Sequence, residues 1–265
     1  MSTYLDVLRY RELLGNLFRR DLQAKYRGSA LGVLWTVANP VLLMAVYLLV
    51  FGVVWKSPFA NGGHYPLFLL TGLALWTFFG AALQSSTRSM LDNANLIRKT
   101  RFPRQLVPLS VVFAHLVSFA AMLLLLLVIN FIFLPRVRAT ELLAIPLCLL
   151  FIGLVCGLSL AVASLNVLFR DIEFIVSALL VPWFFLTPIL YPLDSKDIEK
   201  HSTVVAFIHW ANPLSPAVQA VRAPLFDGNL PRWTDTLYLV VACGAALALG
   251  ALVFRSVDDQ IAIEV

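Results

Sequence analysis

Polar and apolar positions along the chain fall into two regimes. From Val7 to Lys25 they alternate with a helical period, and from Leu34 onward long stretches are almost wholly apolar. At 100° per residue, Val7, Tyr10, Leu13, Leu14, Leu17, Phe18 and Ala24 share one arc of the first segment. Arg9, Glu12, Asn16, Arg19, Arg20 and Gln23 share the opposite arc, while Asp21 and Lys25 intrude on the apolar side. An Arg-rich amphipathic helix of this kind lies in a membrane interface. Gly28 and Gly32 loosen the chain after it, and an apolar run follows from Leu34 to Trp55. The pattern fits a plain interfacial anchor or, more sharply, a docking element that passes force into the first span.

Six stretches meet the requirement of about 20 apolar helical residues for a crossing. They are Leu34 to Trp55, Leu67 to Ser86, a span within Leu106 to Leu134, Leu142 to Leu165, Ile172 to about Leu190, and Leu237 to Phe254. Asn39 and Pro40 predict a kink in the first, and Pro182 and Pro188 interrupt the fifth. Between the fifth and sixth, Val204 to Trp210 and Pro216 to Ala223 are apolar but too short to cross. They suit short helices dipping part-way into the outer leaflet, or a small folded outer loop. The fold class expected is an all-α polytopic membrane protein. It has six transmembrane helices, an N-terminal amphipathic interface helix and short re-entrant helices before the last span. Residues 1–265 read as one membrane domain: interface segment 1–33, spans 34–254 and tail 255–265.

Composition agrees. The 265 residues are 60% hydrophobic and 13% charged, with a mean hydropathy of +0.85, more apolar surface than a soluble chain of this size can bury. The acidic and basic N-terminal residues Asp6, Arg9, Arg11 and Glu12, with no apolar core, do not read as a cleavable signal. Thirteen basic residues fall in the N-terminal segment, the loop after span two, the turn after span four and the tail; seven fall on the other side. The positive-inside rule then places both termini in the cytoplasm. The net charge of +5 is explained by lipid and topology, so no nucleic-acid partner is expected. Cys148, Cys156 and Cys243 lie in apolar runs and read as packing residues.

Candidate chemistry is sparse. No G-x-x-x-x-G-K-[ST] phosphate loop occurs, and Ser159 lacks the glycine pattern of a nucleophile elbow. His115 is the lone histidine within a span and reads as a packing or pore-lining residue. His64, His201 and His209 are scattered, which argues against a metal site. Asn39, Gln84 and Asn130 are the polar but neutral groups inside spans. Few ionisable residues lie at the membrane centre, which argues against ion coupling and for energy supplied from elsewhere. Trp35, Tyr47, Phe51, Trp55, Trp76, Phe78, Phe79, Trp183, Phe184 and Phe185 make spans one, two and five rich in rings. They suit interfacial belts and packing, or a conduit on which sugar rings stack and slide. Arg27 and Arg88, at the expected cytoplasmic rim, suit either lipid headgroups or a substrate diphosphate. The basic loop Arg88 to Arg104 carries Leu96, Ile97 and Phe102 as apolar spots and fits a short helix ended by Pro103, its apolar tip able to plug into a partner groove.

The order of these parts carries a resemblance. The basic helix leads through Tyr26-Arg27-Gly28-Ser29-Ala30-Leu31-Gly32-Val33-Leu34-Trp35 to Asn39-Pro40. The loop after span two reads Asn95-Leu96-Ile97-Arg98-Lys99-Thr100-Arg101-Phe102-Pro103. The turn after span four reads Asn166-Val167-Leu168-Phe169-Arg170-Asp171, and Asn212-Pro213 precedes the last span. Over essentially its whole length the chain resembles the membrane subunit (permease) of ABC-2-type polysaccharide exporters, a group serving O-antigen, teichoic acid, capsule and galactan. The resemblance implies a homodimer in the bacterial cytoplasmic membrane, joined to two copies of a separate ATPase subunit that binds the ATP and Mg; this chain itself binds no cofactor and is no enzyme. It implies a lipid-linked glycan substrate, and ATPase contact through Arg19, Arg20, Gln23 and Tyr26 and through Asn95, Leu96, Ile97, Arg98 and Phe102. Tyr47, Phe51, Trp76, Phe79, Arg27 and Arg88 are the candidates for the substrate path. The alternative is an ABC-2 permease exporting a drug or small lipid.

Overall fold

A computed structural model describes residues 9–29, 32, 34–54, 65–100, 102–133, 139–193 and 202–264. Trp55, Lys56, His64, Arg101, Arg136, Arg138, Lys196, Lys200 and His201 lie outside them. The described residues are helical and include no strand. Helix α1 (Arg11–Tyr26) is the amphipathic segment. Helix α2 (Leu34–Tyr47) carries Pro40 inside it and widens into a π-helical stretch, Leu48–Val54. Helices α3 (Tyr65–Asp92), α4 (Ala94–Lys99) and α5 (Leu106–Phe133) follow. A short 3-10 turn, Ala139–Leu143, opens α6 (Ala144–Leu168), and α7 is Asp171–Leu186. Helices α8 (Ser202–Ala211) and α9 (Leu214–Arg222, continued by a π-turn at Ala223–Asp227) form a hairpin before α10 (Trp233–Glu264).

Among the described residues, five helices are long and apolar enough to cross a membrane: α2 with its π-stretch, α3, α5, α6 with its 3-10 turn, and α10. The expected fifth span is the exception. Helix α7 has 16 residues, roughly 24 Å at 1.5 Å per residue, a little short of a hydrocarbon core of about 30 Å. It stops at Thr187, whose extended backbone (φ −92°, ψ 134°) is what a following proline imposes. The two short helices expected before the last span are present as α8 and α9.

Packing ties the bundle together at three levels. In the middle, α3 packs on α5 and α6 around Phe78, Phe79, Phe119, Met122 and Phe151. Helices α6 and α10 approach so closely that a Cβ on Gly157 or Gly250 would collide with backbone atoms of the facing helix. Small residues permit such contact between membrane helices, where lipid is as apolar as a side chain and association depends on close packing. At one end Met90, Ile97, Val107, Leu160, Val167, Phe254 and Val257 form a second cluster, and Arg104 pairs with Asp258 at 3.1 Å. At the other end Tyr65, Phe68, Leu69, Phe184, Ile189 and Leu190 form a third. The loop after span two, the turn after α6 and the end of α10 thus share one end of the bundle. The α8–α9 hairpin belongs to the opposite end.

Candidate functional site

Helix α1 lies against α5. Leu17 is its most buried residue, and Arg19, Arg20 and Gln23 remain exposed on the outer arc. The two residues that spoil its apolar stripe explain themselves here. Asp21 accepts a hydrogen bond from Ser110 (2.7 Å) and from the neighbouring Arg20 guanidinium (2.7 Å). Lys25 Nζ donates to Ser118 Oγ at 2.7 Å and lies 3.1 Å from His115 Nδ1. Tyr26 shares Ser118 through its hydroxyl (3.0 Å), and His115 Nε2 lies 3.1 Å from Ser85 Oγ. Burial of the ammonium in this crossing lowers the Lys25 pKa to about 8. His115 is therefore not isolated: its partners come from other helices, which spacing along its own helix could not reveal.

Above this cluster a cavity of about 810 Å³ opens between α1, α2, α3 and α5. Lys25, Tyr26, Ser29, Asn39 and His115 form its polar end, and Trp35, Leu43, Val46, Trp76, Phe119 and Met122 its apolar walls. Of the rings expected along a conduit, Trp35, Trp76 and Phe78 line it. The others interlock between α2, α3 and α7: Tyr47 stacks on Phe184 (5.9 Å), Trp76 meets Phe184 (5.4 Å) and Phe79 meets Trp183 edge-on (5.2 Å). Phe51 joins this group beside Tyr47. Phe79 is fully buried, so within one subunit it packs the core rather than facing a path. Arg88 is exposed but engaged by Asp92 (3.1 Å) and Glu173 (3.3 Å); Arg27 is exposed just past the end of α1.

Helix α4 forms where the loop after span two was expected to fold. Its direction differs from the expected apolar tip. Ile97 is buried and Phe102 half-buried, both packed into the cluster around Met90, Val107 and Phe254. The apolar residues are spent anchoring α4 to the bundle, because a six-residue helix has no other means of holding its place. Asn95 and Arg98 stay exposed, and Leu96 is half-buried.

The opposite end holds residues the sequence did not single out. Arg222, counted there as an outer loop charge, is fully buried. Its Nη1 donates to Pro188 O (2.8 Å), its Nη2 faces Ile189 O (3.4 Å), and its guanidinium lies 3.6 Å from the centre of the Phe68 ring. Gly72 leaves room for it. Asn212 is engaged at both ends of its amide: Oδ1 accepts from Trp183 Nε1 (2.7 Å) and Leu214 N (3.0 Å), and Nδ2 donates to Thr187 Oγ1 (3.0 Å). His209 Nε2 meets Asp235 at 2.9 Å and its Nδ1 lies 3.2 Å from Ser215 Oγ. Asn130, expected as a polar residue inside span three, donates to Leu225 O (2.6 Å). No trio of metal-ligating residues occurs among the described residues.

An interface helix, membrane-length helices, a short hairpin at one end and a cavity reaching from polar to apolar walls define a multi-pass membrane protein. The chain belongs to the ABC-2 type transporter family, whose pattern matches residues 12–226. It is 34% identical over 259 residues to the O-antigen export system permease protein RfbA of Myxococcus xanthus, covering 97% of this chain and 96% of that protein. A Klebsiella pneumoniae permease of the same name is 34% identical over 222 residues, covering 83% and 82%. The polysialic acid transport protein KpsM of Escherichia coli is 24% identical over 248 residues, covering 92% of each chain.

Proposed function

We propose that this chain is the membrane subunit of an ATP-driven exporter that moves a lipid-linked cell-surface polysaccharide across the bacterial cytoplasmic membrane. The observation that carries the reading is the end-to-end match to the O-antigen export permease of Myxococcus xanthus. Two copies of the chain would enclose the path, and two copies of a separate ATPase would bind ATP and Mg. The apolar face of α2 beyond the cavity, with Leu49, Val53 and Val54 exposed, is available to lipid or a second copy. In this reading α1 and α4 face the ATPase from the cytoplasm, through Arg19, Arg20, Gln23, Asn95 and Arg98. The contact of α1 with α5 at Ser110, close to Val107 of the cluster that anchors α4, supports that assignment. Both termini are then cytoplasmic and the α8–α9 hairpin stands at the outer face.

The test is co-purification with the ATPase encoded beside this chain, followed by hydrolysis assays. ATP turnover is expected from the complex and not from this chain alone. Turnover by the lone chain, or no association with the ATPase, would contradict the proposal.

A further inference from the structure

We propose that the cavity between α1, α2, α3 and α5 is a binding site for a membrane lipid with an anionic phosphate head, and that Lys25 is the cation that receives the phosphate. The cavity is chemically two-ended. One end presents the Lys25 ammonium with the Tyr26 and Ser118 hydroxyls, all within one hydrogen-bonded cluster. The other end is walled by Leu42, Leu43, Val46, Phe119 and Met122. A phosphorylated lipid has the same division, an anionic oxygen-rich head joined to an apolar chain.

The charge balance points the same way. Lys25 is the only Lys, Arg, Asp or Glu among the residues that line the cavity. It makes no ion pair among the described residues; its partners are a hydroxyl and an imidazole nitrogen. Lys25 stands at the open mouth of the cavity, exposed on its outer side, and the packing on its inner side already weakens its hold on the proton. A phosphate oxygen would restore the missing charge, and the two hydroxyls could donate to it as well. The neighbouring acid is already committed: Asp21 is held by Arg20 and Ser110. Arg88 is committed to Asp92 and Glu173. Arg27 is exposed and does not line the cavity. The location suits the ligand, since an amphipathic interface helix lies at headgroup depth while the spans it meets run into the hydrocarbon.

This inference rests on the proposed function only in placing the chain in a bilayer. It is tested on purified full-length chain, without ATPase or glycan, so its failure and that of the export reading are separable. The measurement is lipid retention by native mass spectrometry, titrating dioleoyl phosphatidic acid, dioleoyl phosphatidylcholine and inorganic phosphate. The unsubstituted protein should retain phosphatidic acid about tenfold more tightly than phosphatidylcholine, a preference set by charge-assisted contacts. Lys25→Gln should reduce that preference to roughly twofold, Ser118→Ala should weaken it partly, and Lys25→Arg and Lys99→Gln should keep it. Where Lys25→Gln does not yield folded protein, the contrast between Ser118→Ala and Lys25→Arg carries the test. Equal retention of the two lipids, an undiminished preference in the Lys25→Gln or Ser118→Ala protein, or competition by inorganic phosphate as strong as by phosphatidic acid would overturn the proposal.

Discussion

Asp21 and Lys25 break the apolar stripe of α1, and each break is answered by a polar group on α5. A charged residue on the buried face of an amphipathic helix costs desolvation unless it finds a partner, so the flaw in the pattern marks the contact. The Lys25 amine gives a direct readout. With its pKa lowered to about 8, roughly half of it is neutral and nucleophilic at pH 8, against under about one per cent of an ordinary lysine. An acylating reagent should therefore label Lys25 at a rate that rises to about pH 8 and then levels off, instead of climbing on toward pH 10. Peptide mapping by mass spectrometry checks this; a rate still rising about tenfold between pH 9 and pH 10 would contradict the lowered pKa. Arg222 makes the opposite point. Its sequence context, a basic residue in an outer segment, gave no sign that it would close the interior against Phe68, Pro188 and Ile189. Replacing Arg222 with Ala leaves those carbonyls without a donor, at a cost of about 1–3 kcal/mol for each buried group left unpaired. A lower thermal midpoint for the purified variant is the expected result.

At the level of elements, periodicity and run length located nearly every helix, because an apolar run bounded by Gly, Pro or charge can only cross the membrane or lie in its interface. Helix ends were less legible. α7 is cut at Thr187 by Pro188, and the hairpin is fixed by Asn212, whose partners on α7 lie far away in sequence. The facing of α4 was not legible at all: three apolar residues in a basic loop fit an inward anchor as well as an outward plug. The structure separates the two roles, and so do substitutions. Ile97→Asp should place a charge in the cluster with Met90 and Phe254 and lower the protein's stability and yield. Arg98→Glu, on an exposed position, should weaken association with the ATPase, read by co-purification. Normal ATPase association in the Arg98→Glu protein would remove α4 from the coupling surface. The α6–α10 crossing is likewise an element property. Gly157→Val should overpack it by about 1–3 kcal/mol or more, since the obstruction is backbone rather than a movable side chain. A thermal scan of the purified variant reads the loss.

For the whole molecule, the rings of spans one, two and five give the lesson about scale. Their abundance was visible in the sequence, but whether a ring packs inward or faces a path depends on neighbours from other helices. Within one subunit Tyr47, Phe79 and Phe184 interlock, while Trp76 reaches the cavity. In the proposed exporter, a path wide enough for a glycan would be enclosed by two copies rather than one. The central claim is that this chain carries a polysaccharide outward with an ATPase partner. The most direct measurement is the surface glycan of the source cell after depletion of this chain, quantified on intact cells beside the lipid-linked glycan inside. The account predicts loss of the surface polymer with accumulation of its lipid-linked form on the cytoplasmic side, restored by re-expression of the unsubstituted chain. Unchanged surface polysaccharide with no internal accumulation would contradict it.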